Sequence, residues 1–495
     1  MKTSTKKSLF LRIITAACLC LGAVLVFLVL PSILSGRNAG YRKREELTYM
    51  AYAGPVLPLT SLEADPDIKA ERTVTFDFSP YHSRTETTQI NENRQITHEV
   101  YDSESQITDA YTLYNHQKEA KTTTFLYPFI ATLGSSVYVK PVITVGDTPV
   151  EPSLHIGPPS WAFEADIAAT ENETQGSFTI TSWTGYQTLI EAGYQASAFD
   201  ESPALNLPVI VYELKDKYGE ESDAAPAPTL RMQFSIDTKK TKLLTYGFDS
   251  FSFDSETSVW SLGSDIPGPN YADYGTSAYL IVLGEDIGAY TLGAYTNGAF
   301  ETVLDHAGAT VLRYESTLAE IFAPLAEKYY DKWASVLFAK EELPLLSALS
   351  KDEWTLLAAE LLSSSGIAPA SFTADAHPVS LEEIFSLTKA ANRIFYLAFS
   401  STIPAESSIL VQADMTKMAS HDHQAGGPAP RQDGYDMLTK LGSTLSFTGQ
   451  SASIAHTEAI EIVRQNFGFD IANGVNSVGL DPEMMHYYLE VKRTR

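Results

Sequence analysis

The sequence predicts an α+β fold: an N-terminal transmembrane helix, then antiparallel β-sandwich domains with a helical segment between β regions. Three patterns predict it. Ile13 to Leu34 is an uncharged apolar run, IITAACLCLGAVLVFLVLPSIL. Residues 71–305, and again 392–495, hold short alternating apolar and polar segments broken by turn residues. Residues 306–391 between them carry apolar residues at spacings of three and four, the stripe of amphipathic helices.

The apolar run is 22 residues long, or roughly 33 Å as a helix, enough for a hydrocarbon core of about 30 Å. Lys2, Lys6, Lys7 and Arg12 precede it, as in an export signal. Its length exceeds the roughly 7–15 residues of a signal-peptide apolar region, and Leu34 is bulky where a cleavage site wants a small residue. An uncleaved signal anchor within residues 1–44 is the reading, with a cleaved signal peptide as the alternative. Arg37, Arg42, Lys43 and Arg44 follow the run, so flanking charge barely sets orientation. Cysteine usage points outward. Cys18 and Cys20, the only two, both lie in the run, and a thiol-free body suits an exported protein. Cys18 follows Thr15-Ala16-Ala17 without the Leu of a lipid-attachment signal and reads as a small apolar residue. The expected location is the cell membrane, single-pass, with a cytoplasmic N-terminus and an extracytoplasmic body.

Charge is divided sharply. The first 44 residues carry eight of the 35 Lys and Arg and none of the 61 Asp and Glu. The body is therefore more acidic than the net charge of −26 for the whole chain. An acidic body excludes nucleic acid and anionic lipid as partners held by a general field.

Residues 45–70 read as a linker, with AGPVLPLTSLEADPD carrying three prolines and no sustained period. Strands follow in order. Thr73–Phe78 sets Val74, Phe76 and Phe78 on one face; Ile107–Tyr114 ends at Asn115-His116-Gln117-Lys118; Thr122–Tyr127 stops at Pro128; Val137–Val145 precedes the turn Gly146–Pro149. Tyr186–Ala196 is a candidate short helix. Pro208–Leu214, Leu230–Ile236, Leu243–Phe248 and Ala278–Leu283 complete the sandwich pattern of residues 71–305.

In the helical segment, Val311, Tyr314, Leu318, Ile321, Phe322, Leu325, Tyr329, Trp333 and Val336 form one stripe, with Pro324 predicting a kink or break. Ser350–Glu353 and Ser380–Glu383 are capping boxes for two further helices. Ile394–Phe399 and Ser408–Ala413 alternate around Thr402-Ile403-Pro404-Ala405, the pattern of a hairpin. Thr444–Ile454, Ala459–Val463 and His486–Val491 are the last strands. This C-terminal region is either a separate domain or the completion of the first sandwich with the helices inserted.

Candidate chemistry is sparse. The loop SHDHQAGGPAPRQDG offers His421, His423 and Asp433 as metal ligands, because two imidazoles two residues apart can reach one ion from an extended loop. A solvated Gly/Pro-rich loop explains the same residues more simply. Asp249 to Glu256 clusters carboxylates, yet its alternation sets Phe251 and Phe253 on one face, as at a strand edge. Trp161, Trp183 and Trp260 are candidate ligand-stacking rings, with core packing as the simpler role. No zinc-protease, nucleophile-elbow or phosphate-loop pattern occurs, and no cofactor is implied. Asn172-Glu173-Thr174 is a lone glycosylation sequon.

Residues 100–129, VYDSESQITDAYTLYNHQKEAKTTTFLYPF, resemble the opening of β-sandwich domains of the vault/inter-α-trypsin-inhibitor type. That resemblance implies a structural or interaction module and carries no catalytic residue. The C-terminal stretch AIEIVRQNFGFDIANGVNSVGLDPEMMHYYLEVKR, with the single anchor, resembles membrane-anchored exported proteins of Gram-positive bacteria that have no established activity. The expectation is a non-catalytic binding or structural module with a surface protein or glycan as partner. The rival is an extracytoplasmic hydrolase acting on wall glycan or peptide, which requires a cleft lined with carboxylates or histidines.

Overall fold

The computed structural model describes residues 53–82, 84–91, 94–100, 104–135, 139–159, 203–219, 222, 225, 227–267, 277–336, 344–365, 367, 377–421, 432–440, 443–484 and 486–494. The apolar run 13–34 lies outside them. Among the described residues, no helix is long and apolar enough to cross a membrane.

The fold is mostly β. The strands are β1 (Thr60–Ser61), β2 (Ile68–Asp77), β3 (Arg84–Asn91), β4 (Arg94–Val100), β5 (Glu104–Asn115), β6 (Lys121–Ala131), β7 (Val142–Val145), β8 (Thr148–Pro149) and β9 (Ser153–Pro159). Next come β10 (Pro208–Tyr218), β11 (Thr229–Phe234), β12 (Thr241–Tyr246), β13 (Ser250–Asp254), β14 (Val259–Asp265), β15 (Ala278–Gly284), β16 (Tyr290–Tyr295), β17 (Gly308–Thr317) and β18 (Val379–Ser380). The last are β19 (Arg393–Ile403), β20 (Ser407–Met418), β21 (Ser420–His421), β22 (Gln432–Leu438), β23 (Ser446–Ala455), β24 (Ile460–Gln465), β25 (Ser477–Gly479) and β26 (His486–Arg493). Helices span Leu318–Val336, Pro344–Ser347, Lys351–Ser364 and Leu381–Ala390.

The chain forms two compact units. The smaller takes Leu207–Ser316 and Ala359–Leu381; the larger takes Glu46–Asn206, Thr317–Ala358 and Glu382–Arg495. In the smaller unit, sheets β17-β10-β15-β12-β18 and β13-β14-β11-β16 share one core. Tyr212, Leu243, Leu280 and Val282 of the first sheet pack with Leu230, Met232, Trp260 and Leu262 of the second. This is a two-layer sandwich.

The larger unit has a seven-stranded sheet, β25-β23-β2-β5-β20-β7-β8, and a four-stranded sheet, β1-β6-β19-β9. Alternation of buried with half-buried or exposed residues along β2, β5 and β20 from Val411 on shows that one face of the large sheet is covered and the other is the more open. By contrast β6 from Phe125 and β19 to Phe399 are buried at consecutive positions, so both of their faces are covered and they read as apolar runs. C-terminal strands enter both sheets: β19 pairs with β6, β20 with β5, and β23 runs parallel to β2. A further sheet, β21-β22-β26-β24, and the hairpin β3-β4 complete the unit.

Several sequence expectations are corrected. The segment around Thr402–Ala405 is not a hairpin, because β19 and β20 belong to different sheets; the turn is an arch between layers. The β5–β6 turn is a second arch. Asn115 ties them together: its buried amide donates to the carbonyls of Glu119, Ile403 and Pro404 at 2.8, 3.3 and 3.2 Å, and its Oδ1 accepts from the Gln117 amide at 2.9 Å. β6 continues through Pro128 to Ala131. Its pairing with β1 ends at Leu126, so the missing proline N–H lies beyond that partner. Val311 and Tyr314 lie on β17, and the helix begins only at Leu318. Its start is a capping box: Thr317 N donates to Glu320 Oε2 and Glu320 N to Thr317 Oγ1. The helix runs on through Pro324; Glu320, whose carbonyl loses the bond to that position, is exposed. The expected box at Ser350 forms, with Ser350 N to Glu353 Oε2 at 2.7 Å and Glu353 N to Ser350 Oγ at 3.2 Å. The Tyr186–Ala196 segment and Asn172 lie outside the described residues.

Candidate functional site

On β2, β5 and β20, alternation puts Arg72, Asp109 and Lys417 on the same parity as buried apolar neighbours. A charge on an apolar face is costly unless partnered, so these three residues are among the places, with Arg393, Asp433, Asp436 and Glu490, where the larger unit departs from a plain hydrophobic core. Only Asp109 falls within a strand expected from the sequence, Ile107–Tyr114; Arg72 and Lys417 lie beyond the expected Thr73–Phe78 and Ser408–Ala413, on the longer β2 and β20.

Arg72 and Asp109 neutralise each other. Nε donates to Oδ1 and Nη2 to Oδ2, both at 2.8 Å, and Nη1 donates to the Leu438 carbonyl. Tyr111 and Tyr127 hydroxyls donate to Asp109 Oδ2 at 2.7 and 3.1 Å, and Tyr111 Oη accepts the Leu59 amide. The guanidinium also lies 5.5 Å from the Tyr111 ring centroid. Burial first, and then the Asp109 charge, push both phenols well above their ordinary range. The network joins β2, β5, β6 and β22, spanning the two layers. Its donors and acceptors are spent on one another, so it holds the layers in register rather than offering a reactive group.

Lys417 is different. It is 7% exposed, and its ammonium donates to the Ala53 carbonyl at 2.7 Å. Among the described residues no carboxylate lies within ion-pair distance of it. Burial lowers its pKa from 10.5 to about 8, partly offset by the charge of Asp436. It lines a cavity of about 140 Å³ whose walls include Val56, Phe129, Ile130, Val139 and Met415.

The solvent-facing side of the large sheet is the other notable surface. Thr73 pairs with Ser451 at 2.9 Å and Thr75 with Ser453 at 2.8 Å. Thr108 donates to Asp414 Oδ1 at 2.6 Å, Gln412 to Asp414 Oδ2 at 2.7 Å, and Gln106 to Thr416 at 3.0 Å. Tyr114 donates to Glu71 and stacks on His116, with ring centroids 6.3 Å apart and planes 9° apart. These side chains are polar and preordered by hydrogen bonds across β23, β2, β5 and β20, with Leu410 of β20 an exposed apolar residue on the same parity.

The sequence candidates are distributed as follows. His421 and Asp433 face each other in register across β21–β22. Asp433 is buried and accepts from the Tyr81 hydroxyl at 3.0 Å, while His421 Nδ1 lies 3.3 Å from the Ala419 carbonyl. His423 lies outside the described residues. Among the described residues no three His, Cys, Asp or Glu side chains are grouped to hold a metal. His456 is held by Asp77 at 2.6 Å, and His486 by Asp436 at 2.9 Å. Trp161 and Trp183 lie outside the described residues. Trp260, 3% exposed, is in the core of the smaller unit with its ring 4.8 Å from Phe253, so it presents no face to solvent. The carboxylates of 249–256 sit at a sheet edge: β13 is outermost, with Phe251 53% and Phe253 47% exposed. Asp254 closes its own turn through Glu256 N and Thr257 Oγ1 at 2.9 and 2.7 Å.

No protein-family model matches the chain, and no curated protein sequence matches it.

Proposed function

We propose that the chain is a single-pass, membrane-anchored extracytoplasmic protein whose β body is a non-catalytic binding module for a neutral surface glycan. The observation that carries this reading is the open face of the seven-stranded sheet. Hydroxyl, amide and carboxylate groups stand there in rows fixed by hydrogen bonds between strands. Such pairs also stabilise the sheet, but an array of preordered donors and acceptors suits a ligand that is itself rich in hydroxyls. The acidic body disfavours anionic polymers. The apolar run at 13–34 and the thiol-free body support placement outside the cell.

The test is sedimentation of the full-length protein in nanodiscs with insoluble neutral wall polysaccharides. Thr73→Arg and Thr108→Arg, which raise bulk and charge on the open face, should each weaken binding at least tenfold. Absence of sedimentation, or binding indifferent to both variants, would sink the proposal. Release of soluble sugar would favour the hydrolase instead.

A further inference from the structure

The cavity beside Lys417 is formed by the larger unit alone, and Thr416, at the end of the open sheet face, contributes to its rim. It sits among the ends of β6 and β20 and the segment Ala53–Leu57. Its volume of about 140 Å³ is close to that of engineered apolar cavities of about 150 Å³ that hold a benzene-sized guest. Most of its wall is hydrocarbon: Val56, Phe129, Ile130, Val139 and Met415. Against that wall lies one ammonium, with a single carbonyl acceptor at 2.7 Å for its three protons. A buried cation of this kind is stabilised by an anion that brings further acceptors. Asp436 does not fill the role by contact: His486 lies 2.9 Å from its Oδ2, and it forms no ion pair with Lys417 among the described residues.

We propose that this cavity is a binding site for a small monocarboxylate with a compact apolar tail of about four to six carbons. The carboxylate would accept from Lys417 Nζ, and the tail would fill the space against Val56, Ile130 and Met415. A zwitterionic amino acid is disfavoured, because its own ammonium would meet Lys417. A dicarboxylate is disfavoured by the apolar wall. Association is non-covalent, and no bond is made or broken.

The experiment is an NMR titration of full-length protein in nanodiscs with carboxylate-labelled isovalerate, against its uncharged isostere isovaleramide. Isovalerate should bind saturably and raise the Tm, with isovaleramide at least tenfold weaker. Lys417→Met keeps much of the side-chain shape without the charge and should lose at least tenfold in isovalerate affinity while still melting cooperatively. If that variant does not fold, Ala131→Leu, which fills the cavity from β6 and leaves Lys417 in place, should abolish binding. Equal affinity for acid and amide, undiminished affinity in Lys417→Met or Ala131→Leu, or no saturable binding by the wild type at 20 mM isovalerate (roughly 4 mM or weaker would show as incomplete saturation) would each overturn the assignment.

Discussion

Lys417 lowers the stability of the fold that buries it. Its amine has a pKa of 10.5 in the open chain and about 8 in the folded one, so below pH 8 the folded state carries a charge it disfavours. The penalty is fully present there and fades as pH rises from 8 to 10.5, where the unfolded chain also loses its proton. The shift corresponds to about 3 kcal/mol, and the bond to Ala53 offsets about 1. Lys417→Met should therefore stabilise the larger unit by about 2 kcal/mol at pH 7, with the gain gone by pH 10.5. Urea unfolding across that range measures it, and a gain independent of pH would contradict it. Arg72 and Asp109 behave oppositely, since each is the other's partner. Arg72→Met should cost about 3–5 kcal/mol, and Arg72→Met with Asp109→Leu should cost less than the sum of the two single changes. A double-mutant cycle on urea midpoints tests this, and simple additivity would show that the pair is uncoupled.

Asn115 acts at the scale of elements. It joins the β5–β6 arch to the β19–β20 arch through four hydrogen bonds. Asn115→Ala should cost about 2–3 kcal/mol and open residues 116–120 and 404–406 to protease together. Cutting at one arch alone would show that they are not coupled. What the sequence disclosed about elements follows from the range of the forces involved. Alternation identified β2 and β5, and Ser350–Glu353 announced its helix, because each is set by contacts within a few residues. The turn pattern at Thr402–Ala405 says that the chain reverses, not which layer receives it. Pro128 and Pro324 end neither element, because the cost of a proline depends on whether a partner awaits the missing N–H. The polar centre is legible only in part: Asp109 takes an inward position on an expected strand, whereas Arg72 and Lys417 sit where β2 and β20 extend beyond the alternation the sequence displays. Histidine and tryptophan stand out by chemical type, but burial of Trp260 and enclosure of Asp433 are decided by distant strands.

For the whole molecule, the pairing that matters most is between β2 and β23. Thr73 and Ser451 lie side by side although 378 residues separate them. A chain ending at Lys440 keeps β22 but loses β23, β24, β25 and β26, leaving an open edge on β2 and on β22. It should give no protease-resistant larger unit, whereas recovery of an intact core covering residues 53–421 would refute this dependence. The same pairing has a temporal consequence. Long-range contacts form slowly because a large loop must close first. During export of the kind proposed, β2 would emerge first and wait, its edge unpaired, until nearly the entire chain had crossed. Such an edge is a template for aggregation, so the interval before β23 arrives is when the chain is most open to wrong partners.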